Sequence, residues 1–519
     1  MKGGAVSRSR RSRRFVYVLG VAVAVVCGLA APAGARTPIP RVVGPLPVSP
    51  ASYPFGAADH QLVPEDLSRQ GYVEEEYLVS GKANVYDWPA AGPAVVRTPN
   101  APYTTRVLVR RPLSPRRFSG NVVVEMLNPS NLFDLNIGWA LMHDQFMRRG
   151  DVWVGITAKP IDVVALKTFD PQRYASLSFA NPLPLSDTRN CTDIQTVVDP
   201  PALRSRSTED GLIWDIYSQV GAWLKSGAPS NPLTYGHRRS LVEEAYGFGY
   251  SQTGGYLIDY INAINPLVVK SDGRSIYDGY LVGVAGGAFV GTVPVNQCSP
   301  APVPTDPRTQ IHDVGVPVIQ VMSQSDYLFG IASRRPDGNR PPDQYRHYEM
   351  AGAAHATPDE LEYSAAPADI IKSGRAVPAS GCDQGPRSRF PSSIHFDAAM
   401  SNLNLWVRYG LKPPPGRDIN VVNDAPVLDQ FGNVTGGLRS PFVDVPTSTW
   451  FGSSTGPGFC FIVGHEVPFD QATLRTLYPT HGTYVREVIG DVVNLVGQRY
   501  LTLADGLKLI TEAQASDIP

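Results

Sequence analysis

Short apolar runs alternate along the chain with longer amphipathic stretches. Several of the runs are continuous and rich in Val and Ile, which is typical of strands buried on both faces of a parallel sheet. Seven of them predict strands: TTRVLVRRP, GNVVVEMLN, DVWVGITAKP, VEEAYGFGY, DGYLVGVAGG, VPVIQVMSQSD and RHYEMAGAAH. The alternation predicts an α/β protein with a mostly parallel central sheet and crossover helices.

Four stretches between these runs have the periodicity of helices. They read LNIGWALMHDQFMRRG, DGLIWDIYSQVGAWLKSG, GGYLIDYINAIN and FDAAMSNLNLWVRYG. In the third stretch, Tyr256, Leu257, Tyr260, Ile261 and Ile264 recur at the spacing that places them on one helix face. Because the predicted strand VEEAYGFGY comes directly before this helix, a sharp turn is expected between the two.

That turn contains Ser251, in the sequence GFGYSQTGG. In a nucleophile elbow, G-x-S-x-G, small residues on either side of the serine let the strand and the helix approach closely. Gly249 fits the first position, but Thr253 stands at the second and is followed by two glycines. A glycine-rich packing turn without chemistry is the alternative. The glycine spacing does not fit G-x-G-x-x-G, which argues against an oxidoreductase with a dinucleotide site.

A nucleophilic serine needs a base and an orienting acid, which follow it in the order acid, then histidine, at such an elbow. The run VPVIQVM ends at Asp326, and His355 follows the strand RHYEM. Because ligands bind at the carboxyl ends of parallel strands, the three side chains are expected to meet there. The competing candidates are His347, which lies within a predicted strand, and Asp359 and Glu360, which are close to His355 in sequence.

These features resemble the α/β-hydrolase superfamily, in particular a branch of secreted or envelope proteins with the elbow G-x-S-Q-S/T-G. The segments that carry the resemblance are EMLNPSNLFD, VGITAKP, GYSQTGG, WVRYGLKPP, FGNVTGGLRSPFVDVP and HEVPFD. The resemblance implies Ser251 as nucleophile, His355 as general base and then acid, and Asp326 as the group that orients the imidazole. Gly255 departs from the pattern, which has Arg there, and this puts a substrate contact of that side chain in doubt.

An oxyanion hole in such a site uses backbone N–H groups. One is expected from Gln252, directly after the serine, and another from the loop LNPSN that follows VVVEM. Because Pro129 has no N–H, Asn128 is the predicted second donor. This chemistry requires no metal and no organic cofactor, and neither is predicted.

The first 35 residues have the three parts of an export signal: a basic segment, an apolar run over residues 15–31 and the sequence AGA at 33–35. Cleavage after Ala35 is expected, which leaves no membrane span; an uncleaved membrane anchor is the alternative. Of 46 basic residues, six precede residue 36, where no acid occurs, so the mature chain would carry 40 basic and 47 acidic side chains. This balance argues against nucleic-acid binding.

Four cysteines remain after the signal: Cys191, Cys298, Cys382 and Cys460. An even number in an exported protein is compatible with two disulfides, for which three pairings are possible. Four separate buried thiols are the alternative.

The predicted organisation is a signal peptide (1–35), an α/β-hydrolase core (36–415) and a C-terminal extension (416–519) packed on the core. Residues 160–208, rich in Pro, Asp and Ser, are predicted to form an insertion of the kind that serves as a lid or binding loop. The sequence predicts a secreted or envelope serine hydrolase that cleaves a small-molecule carboxylic ester through an acyl-enzyme. An acyltransferase with the same triad and a catalytically silent binding protein are the alternatives.

Overall fold

A ten-stranded sheet forms the centre of the protein in the computed structural model, which describes Met1 and residues 35–270, 272–287, 290–327 and 331–519. All elements below lie in the unit Gly34–Pro519; of the other unit, Met1–Ala33, only Met1 is described. The predicted signal peptide therefore falls outside the described residues except at its two ends. The strands of the sheet are β1 Arg41–Val43, β2 Tyr72–Asp87, β3 Val95–Pro112, β4 Asn121–Met126, β5 Val152–Ile156, β6 Glu244–Tyr250, β7 Gly279–Gly283, β8 Val318–Ser323, β9 Gly338–Arg340 and β10 Asp343–Met350.

The order of the strands across the sheet is β9-β10-β8-β7-β6-β4-β5-β3-β2-β1. The six strands from β10 to β5 in this order are parallel, and β9, β3, β2 and β1 are antiparallel to their neighbours. Every residue of β4, β5, β7 and β8 is buried, as expected for continuous apolar runs inside a parallel sheet. The predicted α/β fold with a mostly parallel sheet is confirmed, and all seven predicted strands lie within it.

Helices cover both faces of the sheet, as predicted. They are α1 Ile137–Arg149, α2 Pro160–Phe169, α3 Ile213–Leu224, α4 Gln252–Asp259, α5 Asp359–Glu362, α6 Pro367–Lys372, α7 Ser393–Tyr409, α8 Pro441–Asp444, α9 Gln471–Leu477, α10 His481–Gly497 and α11 Leu503–Ala515. The side chains of β6 alternate between the faces. The rings of Phe248 and Tyr250 contact Phe396 of α7. On the other face, Gly247 leaves room for the Tyr217 hydroxyl of α3, which would lie 2.7 Å from a Cβ at position 247.

The predicted insertion begins as a helix rather than as a loop. Pro160 opens α2, a position at which its fixed φ favours helix and its missing N–H costs nothing. From the end of α2 to Glu209 the chain is irregular apart from a short 3-10 turn at Pro201–Leu203. The insertion is tied to the segment after β7 by the disulfide Cys191–Cys298.

The second disulfide is Cys382–Cys460, so the alternative of four separate thiols is wrong. It joins a two-stranded hairpin, Gly381–Cys382 with Gly385–Pro386, to a short 3-10 helix, Gly458–Ile462, in the C-terminal extension. Each disulfide therefore links two segments that are far apart in sequence.

The C-terminal extension packs on the core beside β10. Single bridges join Arg417 to Tyr348 and Leu438 to Met350, so the extension continues the sheet edge where β10 ends. A hairpin follows, Ser448–Phe451 with His465–Pro468, and then α9, α10 and α11. No helix in the described part of the chain is long and apolar enough to span a membrane.

Candidate active site

Ser251 lies at the turn between β6 and α4 with strained backbone angles. Its φ of 54° and ψ of −120° are uncommon for a residue with a side chain, and such strain is typical of a nucleophile elbow. A Cβ at Gly249 would lie 2.2 Å from the Thr253 carbonyl oxygen, and one at Gly254 would lie 2.5 Å from the Cβ of Ala285. The close approach of helix and sheet therefore uses Gly254 instead of residue 253, which explains the incomplete match to G-x-S-x-G.

The structure brings together the three predicted residues Ser251, His355 and Asp326. His355 Nε2 lies 2.7 Å from Ser251 Oγ, and His355 Nδ1 lies 2.7 Å from Asp326 Oδ1. Asp326 stands in the turn after β8 and His355 in the loop after β10, so both sit at the carboxyl ends of parallel strands. His355 and Asp326 are buried, and Ser251 is partly exposed toward a cavity.

Asp326 is oriented by Ser323 at the end of β8. Its Oδ2 accepts hydrogen bonds from the Ser323 N–H (3.1 Å) and the Ser323 Oγ (2.5 Å), which leaves Oδ1 for His355. A carboxylate at Nδ1 favours the imidazole tautomer with its proton on Nδ1. His355 Nε2 is then an acceptor for the Ser251 hydroxyl.

The competing candidates have other partners. His347 Nε2 lies 3.2 Å from Glu349 Oε1 within β10. Asp359 accepts from the Thr357 hydroxyl, and Glu360 accepts from the Thr357 N–H. The Nδ1 of His355 is bonded to Asp326 instead.

One group of side chains has the spacing of a metal site. The ligand atoms of His347, Glu349 and Asp418 lie within 4.8 Å of one another. However, the guanidinium of Arg334 donates to both carboxylate oxygens of Glu349 at 2.6 Å, and the Ile419 N–H donates to one of them at 2.8 Å. A cation would have to displace this guanidinium, so the group fits an ion-pair network better than a metal centre.

The pKa of His355 predicts the pH dependence of the site. Burial lowers this pKa, but the charge of Asp326 and the hydrogen bond to it raise it by more, so it lies above the ordinary value of 6.5. A general base must be neutral. We therefore expect kcat/KM for a non-ionising ester to fall as the pH drops through a midpoint above 6.5, in a pH–rate profile.

Glu360 lines the same cavity as His355 and is a second group that titrates in this range. Its pKa is raised to about 7, first by burial, against the lowering effect of Arg387 and His355. If His355 causes the fall of kcat/KM at low pH, this fall should persist in Glu360→Gln. A midpoint near 5 in the wild type, or loss of the fall in Glu360→Gln, would contradict the assignment of this pH dependence to His355.

The backbone N–H of Gln252 is free to act as an oxyanion donor. Gln252 is the first residue of α4, where N–H groups have no partner within the helix, and this one makes no hydrogen bond within the described residues. The prediction for Asn128 is contradicted, because its N–H donates to the Leu135 carbonyl at 2.9 Å. The Asn128 side chain instead donates to the Tyr250 carbonyl at 2.8 Å and fixes the loop against the elbow.

A turn directly after Asn128 offers another donor. The Ser130 N–H donates to Asn128 Oδ1 at 2.8 Å, and the Leu132 N–H donates to the Pro129 carbonyl at 2.8 Å. The N–H of Asn131 makes no hydrogen bond within the part of the chain that is described, and Asn131 lines the same cavity as Ser251. The sequence does not predict Asn131 as a donor, because which backbone N–H stays free depends on how the turn closes.

The cavity beside Ser251 has a volume of about 50 Å³. Its walls come from the elbow, the loop after β4, the insertion, the segment after β7 and the C-terminal extension. Its lining residues are Asn128, Ser130, Asn131, Leu135, Ile137, Val198, Tyr250, Ser251, Val290, His355, Ala356, Glu360, Arg387, Phe459 and Ile462. Both predicted additions to the core thus border the cleft.

Fold and site together define the class of protein as an α/β hydrolase. Residues 42–511 match the family described as the alpha/beta hydrolase domain. Because this match spans most of the chain, the protein belongs to that family. None of the curated proteins matches the sequence.

Several solved structures are similar over part of the chain. An α/β serine hydrolase without a lid from Xanthomonas campestris is 11% identical over 57% of this chain and 90% of its own, with a TM-score of 0.25. A carboxylesterase from Lactobacillus plantarum is 9% identical over 57% and 80%, with a TM-score of 0.25. A glucuronoyl esterase from Solibacter usitatus is 10% identical over 57% and 79%, with a TM-score of 0.26. At these values the similarities say nothing about the substrate of this protein.

Proposed function

We propose that this α/β hydrolase is a serine hydrolase that cleaves carboxylic esters through an acyl-enzyme on Ser251. The observation that carries the proposal is the continuous hydrogen-bonded chain from Ser251 Oγ through His355 to Asp326 at a strained elbow. This arrangement supplies a nucleophile, a base and an orienting acid in the order that acyl transfer requires.

The proposed reaction has two halves. Ser251 Oγ attacks the ester carbonyl while His355 Nε2 takes its proton, and the N–H groups of Gln252 and Asn131 stabilise the negative oxygen of the tetrahedral intermediate. The intermediate collapses, and His355 returns the proton to the departing alcohol. Water then attacks the acyl-enzyme with His355 again as base, which releases the acid and restores Ser251. Asp326 stabilises the imidazolium in both halves.

The size of the cavity favours a short acyl group. The cavity volume of about 50 Å³ leaves room for a small group beside Ser251 but not for a long acyl chain. Apolar side chains such as Leu135, Ile137 and Val290 form part of the wall and would contact a short hydrocarbon group.

A series of p-nitrophenyl esters of increasing acyl length tests this proposal. We expect kcat/KM to be highest for acyl groups of about two to four carbons and to fall by about tenfold or more at eight carbons, because the longer chain has to open the cavity. The control is Ser205→Ala, which should match the wild type, because Ser205 is a partly exposed serine outside the cavity lining whose hydroxyl hydrogen-bonds to that of Ser207. A steady rise in kcat/KM toward long chains would contradict the preference for short acyl groups.

If added alcohols divert most of the acyl product to a new ester, the enzyme is an acyltransferase with the same triad.

We further propose that the protein is exported with its first 35 residues removed. Two disulfides support this, because they form and persist in oxidising compartments. The division into a core of residues 36–415 and an extension of 416–519 is likewise proposed.

A further inference from the structure

Two charged side chains line the cavity but take no part in the Ser251–His355–Asp326 chain. They are Glu360, in the single turn of α5, and Arg387, which follows the 381–386 hairpin. Both are buried, with exposed fractions of 8% and 9%. Charged groups are rarely buried without a function or a partner, so the partners of Arg387 are informative.

Arg387 has no acidic partner at ion-pair distance within the described residues. Its Nη2 donates to the Ala379 carbonyl at 2.9 Å, which is a neutral acceptor. Burial lowers the pKa of the guanidinium while Glu360 raises it, and the group stays charged because the pKa of an arginine is so high. A desolvated guanidinium in the wall of a cavity is suited to bind an anion there.

The backbone holds Arg387 in place. Its N–H donates to the Ser380 carbonyl, and the next residue, Ser388, donates to the Val463 carbonyl at 3.2 Å. The disulfide Cys382–Cys460 fastens the same hairpin to the C-terminal extension. Together with the hydrogen bond from Nη2 to the Ala379 carbonyl, these contacts position the guanidinium before a ligand arrives, which lowers the entropic cost of binding.

Glu360 does not neutralise Arg387 permanently. Its Oε1 accepts from the Thr357 N–H at 3.1 Å, and its pKa is raised to about 7, mainly by burial. Burial thus favours the neutral form of this carboxyl, and in that form it leaves the positive charge of Arg387 uncompensated.

We propose that Arg387 binds a carboxylate of the substrate, so that the enzyme takes esters that carry a second, ionised carboxyl group close to the scissile bond. Half-esters of short dicarboxylic acids and acyl esters of small hydroxy acids are the two forms of this class. The inference rests on the proposed ester hydrolysis at Ser251 and specifies its substrate. The guanidinium and the carboxylate form a charge-assisted pair in the cavity, for which the planar set of donors in the guanidinium is well suited.

Kinetics with matched esters test the inference. One pair is monoethyl succinate and ethyl butanoate, which places the charge on the acyl side and keeps the acyl chain at four carbons. The other is 4-acetoxybenzoate and 4-acetoxybenzamide, which places it on the alcohol side. In at least one of the two pairs, the wild type should have a higher kcat/KM for the anionic ester than for the neutral one. In that pair, Arg387→Leu should lower kcat/KM for the anionic ester by about tenfold to a hundredfold, mainly by raising KM.

Three further results are expected. The neutral ester should change by less than about twofold in Arg387→Leu, because a carboxylate contact is absent there. Arg387→Lys should keep part of the preference, since it keeps the charge without the planar fork. Arg389→Leu is the matched control, because Arg389 has a 63% exposed side chain, binds Glu362 and does not line the cavity. Equal losses for the anionic and neutral esters in Arg387→Leu, or a wild-type preference for the neutral esters, would overturn the inference.

A binding experiment separates this inference from the proposed reaction. Calorimetry with succinate and with 4-hydroxybenzoate measures Kd in Ser251→Ala and in Ser251→Ala/Arg387→Leu. Weaker binding of at least one anion in the double variant supports Arg387 even if no ester is hydrolysed, in which case the protein is a carboxylate-binding protein. Unchanged binding of both anions, together with ester hydrolysis by the wild type, overturns the role of Arg387 and leaves the hydrolase proposal intact.

Discussion

Replacing Ser251 by alanine is expected to lower kcat for short esters by about ten-thousandfold or more, with little change in stability. The reason is that Ser251 Oγ is the attacking atom, so the acyl-enzyme cannot form at residue 251 without it. The alanine keeps the β-carbon that the strained turn already tolerates, and the buried pair of His355 and Asp326 stays intact. Steady-state kinetics and a thermal unfolding curve measure both effects.

Ser130 provides the matched control for this change. It is a second serine that lines the cavity, and its hydroxyl bonds to Gln252 Oε1 at 3.2 Å rather than to a base. Ser130→Ala should therefore lose less than about tenfold in kcat. If Ser251→Ala kept a tenth of the wild-type rate, or if Ser130→Ala lost as much as Ser251→Ala, the nucleophile would have been assigned to the wrong residue.

The second large effect is expected for Asp326→Asn, which should lower kcat by about ten-thousandfold. The two donors of Ser323, its N–H and its hydroxyl, both point at Oδ2 of residue 326. An asparagine would turn its carbonyl oxygen to these donors and its NH₂ group to His355 Nδ1. The imidazole would then carry its proton on Nε2, where it could no longer accept the proton of Ser251. Steady-state kinetics with a short ester measure the loss.

Asp359→Asn is the control for this prediction. Asp359 is close to His355 in sequence, but its carboxylate accepts from the Thr357 hydroxyl. This variant should stay within about tenfold of the wild type. Wild-type turnover in Asp326→Asn, together with a large loss in Asp359→Asn, would move the orienting acid to Asp359.

Strand β2 shows why part of the sheet could not be predicted from the sequence. It contains three consecutive glutamates, which break the apolar alternation that identifies a strand. Each of them pairs with an arginine of β3: Glu74 with Arg110, Glu75 with Arg111 and Glu76 with Arg106. The partners lie about thirty residues away in sequence, so the local pattern holds no sign of this stabilisation. The parallel strands, in contrast, are stabilised by the apolar residues that mark them.

The placement of Ser251, Asp326 and His355 was predictable because it depends on topology. Once the strands are recognised as parallel, residues that directly follow them have to gather at one edge of the sheet. The oxyanion donors depend on finer geometry. The position of Asn128 next to Pro129 predicts it as a donor, but the hydrogen bonds of the turn show that its N–H is occupied, whereas that of Asn131 has no partner among the residues that the structure describes.

Arg387 had no sequence signal. It lies in an irregular segment, which has no periodicity from which its position could be predicted. Its place in the cavity wall depends on the hairpin before it, on the disulfide Cys382–Cys460 and on contacts with the C-terminal extension. Helix α2, in contrast, has a signal in the sequence, since Pro160 precedes IDVVALKTF, a run of mostly apolar residues.

Labelling with a fluorophosphonate probe tests the proposed nucleophile most directly. The probe reacts with an activated serine and adds a fixed mass, which intact-mass spectrometry detects in the wild type, Ser251→Ala and His355→Ala. We expect one adduct on the wild type, mapped to Ser251 by peptide analysis, and none on either variant. An adduct on another residue, or no adduct on folded wild type when probes of decreasing size are used, would contradict a serine hydrolase at this site.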